Sequence, residues 1–149
     1  MKRIALFSLN DISYAVEFAD QLIRSGWDIM ASSETVELLR NNGLAVLDIS
    51  AFTGVKENYG FPPTLHPKVE YALTADDQPR IDLVYVNPYP PAKGNDIGGR
   101  TLLALAVKGG RLAVMDAGDM KKVLSELSDT GEVSKALRSE LADKVSFEI

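Results

Sequence analysis

Five short, unbroken apolar runs constrain this chain more than any other feature: Arg3 to Ser8, Trp27 to Ala31, Ala45 to Ile49, Ile81 to Val86 and Arg111 to Met115. None alternates apolar with polar residues, as a strand with one wet face would, so each is predicted to be a strand covered on both faces. Segments with helical spacing separate them. Ile12, Ala15, Val16, Ala19, Leu22 and Ile23 make one apolar stripe, closed by Gly26 beyond Arg24, the pattern of a helix ending at a glycine cap. Thr35 to Arg40 predicts a second helix, stopped by the "NNG" at 41 to 43; Thr101 to Lys108 and the stripe Met120, Val123, Leu124, Leu127 predict two more. Strands alternating with helices specify the α/β class: a doubly wound, Rossmann-like domain with a mainly parallel five-stranded sheet and right-handed crossovers.

With 149 residues and no Pro/Gly/Ser-rich linker, residues 1–149 are predicted to be a single domain. Its tail, 133–149, is a helical extension. There Ala136, Leu137, Leu141 and Val145 share a face that closes against the sheet or a partner subunit. Sixteen basic against twenty-one acidic side chains give a formal charge of -5 without a basic cluster, so no nucleic acid is expected as a partner. The first apolar run is interrupted by Ser8, Asn10 and Asp11, too soon for a signal peptide or a membrane span. A cytoplasmic protein with no membrane partner is the expectation. With no cysteine and one histidine, thiolate and all-histidine metal sites are excluded within the chain.

Ligands of doubly wound sheets gather at the carboxyl ends of the strands, near the point where strand order reverses. The candidate loops are therefore Ser8 to Ser13, Ser32 to Thr35, Ser50 to Pro67, Asn87 to Gly99, and Asp116 to Asp119. Tyr89 and Asp96 share the fourth. Asp96 reads as a helix cap with Gly98 and Gly99 easing entry, or as part of a glycine-flanked helix start whose N–H groups hold an anion or a polarised carbonyl. Lys108 ends that helix, where the backbone dipole favours a cation. His66, before Pro67, reads equally as a helix entry residue or a group contacting a base. Ser32, Ser33 and Thr35 form a candidate phosphate cup into which Glu34 introduces a negative charge.

The stretches "LFSLNDISYAVEFADQL", "SSETVELLRNNGLAVLDISAFTG", "TLHPKV", "IDLVYVNPYP" and "DIGGRTLLALAVK" occur in this order over roughly residues 3 to 127. Together they resemble the IMP cyclohydrolase domain of the bifunctional purine biosynthesis protein, a member of the methylglyoxal synthase-like superfamily. The resemblance implies closure of the purine ring of 5-formamidoimidazole-4-carboxamide ribonucleotide to IMP with loss of water, without cofactor or metal. It implies Tyr89, Asp96 and Lys108 as the catalytic trio. Substrate contacts are expected from Ser8, Asn10, Ser32, Ser33, Thr35, Thr64, His66, Asn87, Gly98 and Gly99. The implied partners are a purine-precursor ribonucleotide, a second copy of the chain in a homodimer, and a separate formyltransferase, since that domain is absent here.

Departures from the family pattern accompany the match. Pro63 stands where the family has a lysine, "SSET" replaces its "SGGT" turn, Ile12 and Tyr14 replace a lysine and a glycine, and the loop from Tyr89 to Asp96 is shorter. Pro63 and Glu34 favour a second reading, a catalytically degenerate ligand-binding or regulatory domain on the same scaffold. In a straight helix, Asp96 and Lys108 lie roughly 18 Å apart. Such a trio requires a broken helix, a contribution from a second subunit, or a separate role for Lys108.

Overall fold

The computed structural model describes residues 2–56 and 62–148. All five apolar runs are strands: β1 (Ile4–Leu9), β2 (Asp28–Ala31), β3 (Val46–Asp48), β4 (Ile81–Asn87) and β5 (Leu112–Val114). They form one sheet in the order β3-β2-β1-β4-β5, with every pairing parallel. The order reverses between β1 and β4, which makes their carboxyl ends the switch point.

Alternate strand residues feed two cores. On one face α1 (Ala15–Arg24), α2 (Ser33–Asn41) and α6 (Ala117–Thr130) cover Ala5, Phe7, Ile29, Ala31, Leu83 and Tyr85. On the other, α3 (Ile49–Thr53), α4 (Pro67–Thr74) and α5 (Ile97–Lys108) cover Leu6, Met30, Val84, Val86 and Ala113. Burial on both faces is why the inner strands read as continuous apolar runs; the edge strand β3 departs from that expectation, with Leu47 43% exposed. A bulge at Asp82 breaks the alternation: Ile4 pairs with Ile81 but Ala5 with Leu83, and the Asp82 carboxylate accepts the Ile4 N–H at 3.3 Å. Ile81 thereby joins the α4/α5 core while Leu83 joins the other.

The tail helix, α7 (Lys135–Glu148), packs along the edge strand β5 and so covers an otherwise open sheet edge. Leu137 and Leu141 enter one core and Val145 the other. Ala136, predicted for the same inner face, is exposed. Polar contacts fix the helix as well: Lys144 binds Asp116 and, at 2.9 Å, Asp119, while Lys122 binds Glu140 at 3.1 Å.

Helix starts depart most from the sequence reading. α1 begins at Ala15 instead of Ile12, because Asp11 accepts the Ser13 N–H at 2.9 Å and Tyr14 takes the left-handed conformation (φ 66), making 11–14 a turn. Ile12 is left 47% exposed. α2 and α5 begin at Ser33 and Ile97, earlier than predicted, since a first helical turn presents polar and glycine residues that carry no apolar stripe. The segment Ser50 to Pro67, read as a loop, opens with α3, whose cap Asp48 accepts the Ser50 N–H at 2.9 Å, and it ends where α4 begins. Residues 57–61 of that loop, and Ile149 of the tail, lie outside the described residues.

Candidate functional site

A cleft of about 220 Å³ opens at the switch point, lined by Ser8 and Leu9, by Ser32, Glu34 and Thr35, by Pro62 to Thr64, and by Asp96, Gly98 and Gly99. Two helix starts, those of α2 and α5, meet here. Ser32 precedes α2 but makes no side-chain cap bond, and the N–H groups of 33 to 35 have no partner among the described residues. Thr35 is 1% exposed and Thr64 is 4% exposed, yet neither hydroxyl has a partner among the described residues. Buried polar groups are normally bonded, so this concentration of uncommitted donors marks a place built to receive a polar group.

Asp96 caps α5 and also ties down the preceding loop. One carboxylate oxygen accepts the Gly99 N–H at 2.9 Å and the other accepts the Tyr89 N–H at 3.2 Å. Both glycines are required by what surrounds them. A Cβ on Gly98 would come within 2.7 Å of Pro62 Cβ and 3.0 Å of Thr64 Oγ1; one on Gly99 would meet Asp96 Oδ2 at 2.9 Å. "DIGG" is therefore a packing motif as well as a helix start, letting the Pro62 to Thr64 segment lie directly on the first turn of α5.

His66 is the N-cap of α4, its Nδ1 accepting the Lys68 N–H at 3.0 Å, with Pro67 at the first helical position. The helix-entry reading is thus seen directly, and "TLHP" launches α4 while setting Thr64 into the cleft. Asn87 also acts on backbone: its side chain accepts from the N–H of Asn10 (2.6 Å) and Asp11 (2.8 Å) and donates to the Asp11 carbonyl (2.9 Å). That clamp joins the β1 and β4 loops across the switch point. Neither His66, Asn87 nor Asn10 lines the cleft.

The sequence-derived trio is not assembled within one chain. Tyr89 adjoins the cleft but spends its hydroxyl on the Asn95 carbonyl at 2.9 Å, closing its own short loop. α5 runs unbroken from Ile97 to Lys108, so Lys108 sits exposed at the far end of the helix from Asp96. At ~1.5 Å per residue the two cannot touch one ligand group. Leu9 and Pro62 escaped the sequence reading, although the Pro62-Pro63 pair before "TLHP" was a visible signal of a rigid wall.

The lining carboxylates are Glu34 and Asp96, and no Lys, Arg or His lines the cleft among the described residues. On the opposite face of β4, burial pushes the Tyr85 phenol up to about 12, with the Asp11 and Asp116 charges adding to the effect. Among the described residues no three His, Cys, Asp or Glu side chains are grouped to hold a metal ion, and no helix is long and apolar enough to cross a membrane.

The family profile of the MGS-like domain matches residues 14–110, which contain α1 to α5 and most of the cleft. The chain belongs to the MGS-like domain family. Among curated relatives it is 35% identical to the bifunctional purine biosynthesis protein PurH of Persephonella marina and 33% identical to that of Bacillus cereus, in each case over 97% of this chain and 34% of the relative. It thus spans about a third of the length of those relatives. The crystal structure of ForH superposes with a TM-score of 0.83 at 28% identity, covering 96% of this chain and 89% of the other. This MGS-like sheet is the doubly wound, five-stranded one expected, and it is parallel throughout. One departure is now explained locally. Tyr14 occupies a left-handed position, where the family resemblance expects glycine, and holds it by stacking on Phe18 (5.8 Å between centroids) beneath Lys121 Nζ (4.8 Å).

Proposed function

We propose that the switch-point cleft binds a purine-precursor ribonucleotide and closes its ring, as the cyclohydrolase part of PurH-like proteins does. The observation that carries this reading is the pair of buried, unpartnered hydroxyls, Thr35 and Thr64, set between two helix starts with free N–H groups. In 5-formamidoimidazole-4-carboxamide ribonucleotide the carboxamide nitrogen attacks the formyl carbon and water leaves. An intramolecular closure needs the two groups pressed together, a donor for the developing oxyanion, and a proton acceptor. The Thr64 hydroxyl and the Gly98 N–H, which has no backbone partner among the described residues, serve as donors. Asp96, aimed by Tyr89 and Gly99, serves as acceptor. Lys108 enters only from a second copy of the chain, so a homodimer belongs to this proposal, as does a separate formyltransferase supplying the substrate.

A second reading, a binding domain without turnover, is favoured by Glu34 and Pro63 and by the lack of a lining cation among the described residues. One experiment separates the two. Purified protein is incubated with the formamido ribonucleotide while purine-ring absorbance is followed, and thermal shift is measured in parallel. Turnover that falls by ~10²-fold or more in Asp96→Asn supports ring closure. A thermal shift without turnover supports the binding domain, and neither response removes both.

A further inference from the structure

We propose a second ligand site, for a small oxyanion of the phosphate type, at the amino edge of the sheet, opposite the cleft. A cavity of about 220 Å³ lies there, lined by Arg3, Arg80 and Arg138, by the carboxylates Asp82 and Glu132, and by Trp27 among others. Both carboxylates are already engaged. Asp82 accepts from Arg80 at 3.1 Å and from the Ile4 N–H, and Glu132 is bound by Arg3. Arg138 holds only the Gly110 carbonyl, at a long 3.4 Å, and Arg80 keeps Nη2 uncommitted among the described residues.

The surroundings add positive charge. Arg111, 7% exposed, bonds the carbonyls of Ile81, Gly109, Ala72 and Ala75 and has no carboxylate ion-pair partner among the described residues. Burial and then the nearby Arg80 disfavour its charge, while Asp82 and Asp76 act in the opposite sense. The outer acidic group is Asp76, which holds Arg80 Nη1 at 3.0 Å. The remaining wall is also short of a partner: Trp27 is 3% exposed, and its indole N–H has no acceptor among the described residues. Arg80 Nη2, the Arg138 guanidinium beyond its one long bond, and the Trp27 indole N–H are the donors left without acceptors among the described residues, and an oxyanion supplies acceptors of the right geometry.

Trp27 is the only tryptophan, so its fluorescence reports this cavity directly. Inorganic phosphate is titrated against the full chain with sodium chloride at matched ionic strength as control. A saturable change in indole emission with phosphate, absent with chloride, is expected. Arg138→Gln, which alters an exposed side chain, and Arg80→Gln should each weaken the response by about tenfold or more, while Arg24→Gln, removing the same charge from an ion pair outside the cavity, leaves it unchanged. A response that does not saturate, that chloride reproduces, or that survives Arg138→Gln overturns the site. Because the readout is the indole and not turnover, the result is independent of the proposed ring closure.

Discussion

Two helix starts on the same sheet edge use the same device to different ends. Asp96 caps α5 after β4, and Asp116 caps α6 after β5; each accepts the N–H three residues on, at 2.9 and 2.8 Å, and each is followed two positions later by a glycine. At α6 the cap is closed by Lys144 from the tail helix. Burial works to raise the Asp116 carboxyl, but bonds from Lys144 and the Asp119 N–H outweigh it and hold the group below the usual carboxylate range. At α5 no cation arrives among the described residues, Pro62 and Thr64 pack against the turn, and a cleft remains. The lesson is that a capped helix start becomes a site only where the rest of the fold leaves donors unanswered.

The sharpest way to break the comparison is to add one methyl group at equivalent second helical positions. Gly98→Ala must displace Pro62, so the expected cost is about 1–3 kcal/mol of stability and ~10²-fold in ligand affinity or turnover. Gly118→Ala meets only Asp116 Oδ1, at 3.4 Å, and should be neutral or stabilising by up to ~1 kcal/mol through helix propensity. Denaturant unfolding of both variants checks the pair; equal costs would mean the two starts are packed alike.

Next in size is Thr35→Val. Removing an unsatisfied buried hydroxyl should leave stability unchanged or raise it by about 1 kcal/mol while weakening the proposed nucleotide by roughly tenfold, a split that thermal melts with and without ligand would reveal. Lys144→Met, opening the closed start, should cost about 0.5–1 kcal/mol near neutrality, a modest figure because the lysine is partly exposed. Its pH dependence has a definite sign. A depressed Asp116 contributes stability above its ordinary pKa and loses it as pH falls through the folded one, and a raised Lys144, bonded by Asp116 and then Asp119, loses its share only in strong alkali. The wild-type advantage over Lys144→Met should therefore shrink below about pH 4. The smallest effect is expected for Tyr14→Gly, within about 0.5 kcal/mol of neutral, since relief of the left-handed backbone offsets loss of the Phe18 and Lys121 contacts.

How far the sequence was legible depends on whether the signal was local. The strands appeared within a residue or two of their true ends because no run alternates apolar with polar residues, even in β3, where one face is open at Leu47. Asp96 was readable as a cap, since capping is a contact across one helical turn. α3 and α4 were not: they are short, and the histidine that caps α4 read equally as a helix entry or a base-contacting group, the cap itself being visible only in the bond from the Lys68 N–H to its Nδ1. Of the three arrangements left open for Lys108 and Asp96, the structure removes only the broken helix. Residues on one motif need not share one place, and an unbroken α5 carries them to opposite ends.

By itself the amino-acid sequence determined the alternating layers, the parallel sheet and the edge where a ligand can enter, because hydrophobic periodicity and turn chemistry act over a few residues. Only the tertiary structure decided which helix starts stay open, why Gly98 tolerates no side chain, and that Thr35 and Thr64 are buried without partners. Those facts depend on segments far apart in the chain meeting within van der Waals distance, which no local pattern encodes.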